Sequence, residues 1–244
     1  MAISRYLENE LVHISAGRVL GTSSIHKFGA VPAMSQNQTG TIWDVNDTLY
    51  PWSAFDTAGV LTIPAVNASD NGHVITVQGL DENYNITTEN FTVSSSGTTT
   101  GTQTFKRVYR AFDATGTNDG NINVQRGGTT VLQITAGKAQ TLMAIYTVPA
   151  AKVGFIIKGT ATVQASADAT VDMFVRYFGQ TSFRVGHSFE VSGTGGQYLY
   201  EFAAPIRIPE KSDIDVRAKV RSNNARVTAA FDIILLDKSL AGKS

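Results

Sequence analysis

The sequence predicts an all-β protein, built as two antiparallel β-sandwich domains of jelly-roll type behind a short N-terminal arm. Three observations carry that prediction. Short β-prone runs recur along the chain with Gly-, Asn- and Ser-rich turns between them, the spacing of a sandwich or barrel. Asp213-Ile-Asp-Val-Arg-Ala-Lys-Val-Arg221 alternates charged with branched or small apolar residues, the period of a strand with one wet and one buried face. No segment sustains a 3.6-residue apolar stripe.

Residues 1–20 are short and mixed in character and read as the arm, with at most a turn of helix at Tyr6 to Leu11. The first sandwich is expected over 21–115. Gly59–Ile63 and His73–Gln78 flank Asn71-Gly72, which reads as the tip of a tight hairpin. Tyr84–Thr88 and Glu89–Val93 continue the strand chemistry, Ser94–Gly101 is a polar loop, and Thr104–Phe112 is a further strand. Asp113–Gly120 combines Gly, Asn and Asp without an apolar anchor and is the expected boundary.

The second sandwich is expected over 120–244. Its strands are read at Asn121–Val124, Thr130–Ile134, Thr141–Val148 and Val153–Lys158. Val171, Met173, Val175 and Tyr177 alternate, and Val227, Ala229, Phe231, Ile233 and Leu235 share one face of a last strand. That strand follows a Ser222–Asn224 turn and closes a hairpin with Asp213–Arg221.

Composition removes several function classes. No cysteine is present, so disulfides, thiol nucleophiles and Cys-ligated metals are excluded. Charged residues make up 16%, below the roughly 25% usual for soluble domains, while Thr supplies 28 positions and suits exposed strand faces. Twenty basic side chains balance 20 acidic ones, which argues against nucleic-acid binding, since that draws on clustered cations. No apolar run is long enough to cross a bilayer as a helix, so no membrane partner is expected. The first ten residues carry Glu8 and Glu10 and lack the profile of a secretory signal; an untargeted soluble product is expected.

Catalytic patterns are sparse. His13, His26, His73 and His187 form no close pair, so no metal is expected. Ser24-Ile-His-Lys27 matches S-x-x-K, but a strand there puts Ser24 and Lys27 on opposite faces rather than one helical turn apart. Asp213 and Asp215 share a strand face at a spacing a glycosidase could use. Arg217, Lys219 and Arg221 follow on that face, so a solvated, self-compensating surface is expected. Asp44-Val-Asn-Asp47 offers oxygen ligands without the downstream Gly and Glu of a calcium loop. Asp44, Asp47, Asp56, Asp70, Asp81, Glu82 and Glu89 occur between Lys27 and Lys106 with no Lys or Arg among them, which reads as solvated edges and turns, or as a calcium site or a face for a basic partner. Asn-x-Ser/Thr triplets at Asn37, Asn46, Asn67, Asn85 and Asn90 follow from composition. Neither a cofactor nor an enzymatic activity is expected.

Trp43, Tyr50, Trp52 and Phe55, broken by Pro51, are the aromatic cluster suited to a recognition surface. They equally suit a plug at the end of the first sandwich. With Ile3, Tyr6, Leu7 and Leu11 of the arm they form the candidate interface set.

Six strings carry a family resemblance: Ser24–Gly29, Thr41–Asp44, Val77–Tyr84, Phe105–Phe112, Ile134–Met143 and Glu210–Arg217. In this order, across nearly the whole chain, they resemble a family of virion structural proteins of tailed bacteriophages, many from marine and freshwater hosts. The resemblance implies no catalytic residues. It implies a homo-oligomeric virion component assembled in the host bacterial cytoplasm, with the major capsid protein or neck and tail proteins as partners. A capsid-decorating, cement or head-associated role is expected first, and a tail, neck or fibre-attachment role second. A carbohydrate- or receptor-binding module using Trp43, Tyr50 and Trp52 is the rival from another class.

Overall fold

The computed structural model describes residues 10–164, 166–193 and 196–242. Ile3, Tyr6 and Leu7 lie outside these residues. The described part of the arm contains a helical turn over residues 10–15, closed by the Ala16 amide donating to the Val12 carbonyl.

The chain is all-β and antiparallel. Its first half carries β1 (Thr22–Met34), β2 (Thr39–Thr41), β3 (Thr62–Ile63), β4 (Val74–Leu80), β5 (Ile86–Thr92), β6 (Thr99–Thr100) and β7 (Arg107–Asp113). There follow β8 (Ile122–Arg126), β9 (Thr129–Ile134), β10 (Ile145–Thr147), β11 (Lys152–Val163) and β12 (Asp168–Arg176). The chain ends with β13 (Arg184–Ser192), β14 (Gln197–Ile208), β15 (Asp213–Val220) and β16 (Ala225–Asp237). These strands form four sheets, in the orders β1-β16-β11-β14, β10-β15-β12-β13 with β2 also on β15, β6-β3-β8-β9, and β5-β4-β7.

Two apolar cores follow from the period-two faces. In one, Val227, Ala229, Phe231, Ile233 and Leu235 of β16 meet Val171, Met173 and Val175 of β12 and Ile214, Val216, Ala218 and Val220 of β15. Each large side chain so buried contributes about 1.5–3 kcal/mol. The other gathers Ile63 of β3, Val124 of β8 and Leu132 of β9 with Ile75 and Val77 of β4 and Phe91 of β5.

The connectivity departs from two sandwiches in series. β1 pairs with β16 from Thr22↔Leu236 to Met34↔Ala225, and β2 pairs with β15. The start of the expected first domain therefore belongs to the sheets made by the end of the chain. β8 and β9 in turn join β3, so the cut between 115 and 120 passes through one core. The segment between Ile42 and Ala144 is inserted into a sheet system formed by the two ends. The Asp113–Gly120 loop is pinned: Asn118 is buried and its Nδ2 donates to the carbonyls of Gly120, Ile134 and Thr135. Asp70 accepts from the amides of Asp119 and Gly120.

The expected hairpin tip is also different. Asn71 has φ −61° and ψ 127°, Gly72 has φ 83°, and the His73 amide donates to the Asp70 carbonyl. These are the angles of a type II turn, and the strand before it, β3, pairs with β6 and β8 rather than β4.

The exit and return of the insert meet under β1, where the Ala144 amide donates to the Ile42 carbonyl at 2.9 Å. Gly29 lies over that bond, and a Cβ there would overlap both backbone atoms. Gly29→Ala is therefore expected to destabilise by about 3 kcal/mol, at the upper end of overpacking because backbone cannot rotate away. Urea denaturation measures it; a change below ~0.5 kcal/mol would mean this crossing is not tight.

Candidate functional site

The aromatic cluster is a core element, which corrects its place in the interface set. Trp43, Tyr50, Trp52 and Phe55 are all buried. Trp43 and Tyr50 meet edge-on at 5.2 Å, Tyr50 and Trp52 at 4.8 Å, and Phe183 covers Trp52 at 5.4 Å. Their cover comes from residues over a hundred positions away. Of the arm residues, Leu11 is partly exposed on the helical turn.

Asp213 and Asp215 are buried, not solvated. Asp213 receives Arg107 through Nε at 2.8 Å and Nη2 at 3.1 Å. Arg176 reaches Oδ2, which also takes Arg107 Nη2, at 2.6 and 3.0 Å, and the Thr147 hydroxyl donates to Oδ1 at 2.7 Å. Asp215 accepts from Thr41 Oγ1 at 2.8 Å, Trp52 Nε1 at 3.0 Å and Arg217 Nε at 2.9 Å. The guanidinium of Arg107 lies 5.6 Å from the Trp52 ring centre and that of Arg176 lies 5.3 Å from it. Burial opposes the charge of Arg107, but the Asp213 carboxylate outweighs it and raises its pKa. Burial also pushes the Tyr50 phenol well above its ordinary range, and its hydroxyl has no hydrogen-bond partner among the described residues. The geometry is a structural rivet between the cores, with both carboxylates committed.

The acidic stretch is likewise built into local structure. Asp47 accepts from the Ser35 amide, Asp81 from those of Asn83 and Asn85, and Glu89 from those of Thr102 and Gln103. Asp44 is buried and accepts from Thr135 Oγ1 at 2.9 Å; burial pushes its pKa up to about 6. Among the described residues no group of His, Asp and Glu could hold a metal ion. His73 meets Asp113 at 2.7 Å and His26 meets Asp232.

Two cavities lie where the sheet systems meet. One, of about 310 Å³, is lined by Tyr84, Lys106, Arg107, Arg176, Phe178 and Lys211 among others. The second, of about 380 Å³, is lined by His26, Lys27, Gln78, Tyr109, Arg110 and Gln140 among others. Lys27 is buried at its wall. Tyr109 is the extra residue of a bulge, since Val108 pairs with Gly79 and Arg110 with Gln78. Its free carbonyl takes the Lys27 ammonium. Burial, helped by nearby Arg110, lowers the Lys27 pKa to about 7.

An exposed apolar surface outside the expected interface set lies on two outer strands. β13 and β14 are outer strands of different sheets, and their rings form a ladder. Phe189 stacks on Tyr198 at 4.1 Å, Tyr200 meets Phe202 at 4.8 Å, and His187 packs 5.2 Å from Tyr200. Val185, Leu199 and Tyr200 remain exposed. The signal was available as alternating aromatics in Gln197-Tyr-Leu-Tyr-Glu-Phe202.

No protein-family model matches the chain, and no curated protein matches it. Among solved structures it is similar to the infectious bursal disease virus VP2 subviral particle, at 8% identity and a TM-score of 0.24, over 90% of this chain and 73% of that one. It is also similar to the structure of the Gx strain of that virus, at 9% identity and a TM-score of 0.22, over 88% of this chain and 75% of that one. Likeness at these scores carries no functional inference.

Proposed function

We propose that this chain is a non-enzymatic structural protein of a phage virion, decorating or cementing the capsid through contacts with copies of itself and with coat subunits. Its two apolar cores are then two sandwiches of facing sheets, one inserted in the other. The observation that carries the reading is the free edge of β13. Among the described residues that strand pairs only with β12, with one bulge at Gly186, and it holds no proline, whereas β14 carries Pro205. Edge strands without proline are templates for pairing with another chain.

A second copy of this strand is the partner. The bulge at Gly186 puts Arg184 on the face of His187 and Phe189, and Val185 on the face of Ser188 and Glu190, so each face of the edge carries both apolar and charged positions. A two-fold contact repeats every pair it makes. Arg184 has no ion-pair partner among the described residues, and Val185 is exposed. A stable contact buries ~1,600 Å² in all, so the neighbouring ring ladder, with exposed Leu199 and Tyr200, would extend it.

The test is abundance in purified particles, measured by quantitative mass spectrometry. Copies in the hundreds are expected for a shell component; a few dozen or fewer place it in the tail or neck. Absence from the particle overturns the virion reading, and specific retention on a glycan array lost in Tyr200→Ala would favour a carbohydrate-binding module instead.

A further inference from the structure

We infer that the cavity of about 310 Å³ between the two cores is a binding site for a small organic oxyanion, a carboxylate or sulfate carried on a sugar-sized ring. Lys106, Arg107, Arg176 and Lys211 line it against two carboxylates, Asp56 and Asp213, a formal excess of two positive charges. Asp213 is fully engaged by Arg107 and Arg176. Lys106 is held by the Asp56 carbonyl at 2.6 Å, and Arg176 spends Nε and Nη2 on Asp213, which leaves Nη1. Lys211 has no ion-pair partner among the described residues; the adjacent Glu210 is bound to Lys238 and to the Ala151 amide. Three cationic donors therefore have spare valence beside a cavity.

Backbone conformation marks the same place. Tyr84 has φ 67° and Lys211 φ 60°, in the left-handed region that side chains of this size disfavour. They are the two largest side chains so placed among the described non-glycine residues, and both line this cavity. The Lys211 ammonium lies 5.7 Å from the Tyr84 ring centre and 5.0 Å from that of Phe178. Such strain persists where the surroundings fix a particular arrangement. Here it presents a cation on an aromatic corner, with the two rings edge-on at 5.7 Å.

That corner defines the ligand. The ammonium groups attract an oxyanion, and the exposed face of Phe178 suits the C–H face of a ring. Gln180 and Thr181 offer hydroxyl partners. The volume lies at the small end of ligand sites, about 300–1,000 Å³, which favours one sugar-sized unit over a peptide or polymer segment. The site uses no residue of β13, so it stands or falls separately from self-association.

The test is calorimetric titration of the full chain with glucuronate, galactose 6-sulfate, glucose and inorganic sulfate. Saturable binding of both sugar anions is expected, with glucose at least about tenfold weaker for want of the charge. Lys106→Gln and Lys211→Gly are each expected to weaken binding about tenfold. Lys211→Gly is also expected to keep or raise the thermal midpoint, because glycine accepts the left-handed backbone; loss of binding is then not loss of fold. Failure of both sugar anions to saturate, equal binding in the variants, or inorganic sulfate binding as tightly as galactose 6-sulfate would each overturn the inference.

Discussion

Asp213→Asn is expected to destabilise the fold by about 3–5 kcal/mol, enough to unfold a marginal chain, because two guanidinium groups would be left in the interior with no carboxylate. Arg107 and Arg176 both end on this one side chain, which is 2% exposed, and asparagine keeps one acceptor oxygen for the guanidinium groups and the Thr147 hydroxyl that now share two. The paired attraction is not itself the source of the effect, since removing two charges from water opposes it. Replacing all three charges by apolar residues of similar volume should therefore be less harmful than removing Asp213 alone. Denaturant midpoints for the single and triple variants check this. A single variant within ~1 kcal/mol of the parent would mean the cluster is solvated.

Lys27→Met is expected to stabilise the protein at neutral pH by about 2 kcal/mol and to remove a rise of stability with pH. The Lys27 pKa is lowered to about 7 in the folded chain from 10.5. Between those values the unfolded chain binds the extra proton, so raising the pH favours the fold. The parent should gain on the order of 3 kcal/mol between about pH 7 and pH 9.5. Above that range the buried Tyr50 and Tyr146, whose pKa values burial raises, reverse the trend, because tyrosines ionise more readily once unfolded. The variant gives up the bond to the Tyr109 carbonyl, worth about 1–2 kcal/mol, which makes the net gain smaller than the full linkage term. A parent whose denaturant midpoint is flat from pH 7 to 9.5 would show that Lys27 is already neutral or is hydrated.

The apolar faces were legible wherever a strand has one covered side. Val227 to Leu235 and Ile214 to Val220 point inward as their alternation requires. The opposite face of β15 was not legible. Burial of Asp213 depends on Arg107 and Arg176, which are 106 and 37 positions away, and that of Asp215 on Thr41 and Trp52, and alternation says nothing about what covers the second side. The insert escaped for the same reason: β1 takes its partner from β16, while local turn chemistry at 113–120 looks like a linker whether or not Asn118 and Asp70 pin it. The tryptophans read as a plug or as a surface alike because loop aromatics carry no periodicity; the cover of Trp52, Phe183 and the buried Asp215, lies in another part of the chain. Tyr84 and Lys211 were invisible because a left-handed backbone at non-glycine residues has no sequence signature.

Self-association through β13 is the claim on which the assembly reading turns, and sedimentation velocity of the parent and of edge variants tests it. The parent is expected to sediment as a symmetric oligomer at micromolar concentration. Val185→Lys should dissociate it by placing a charge on the exposed edge, and Val185→Ile, which keeps that position apolar, should leave it intact. A parent that stays monomeric, or a Val185→Lys variant that stays oligomeric while folded, would contradict pairing along this edge.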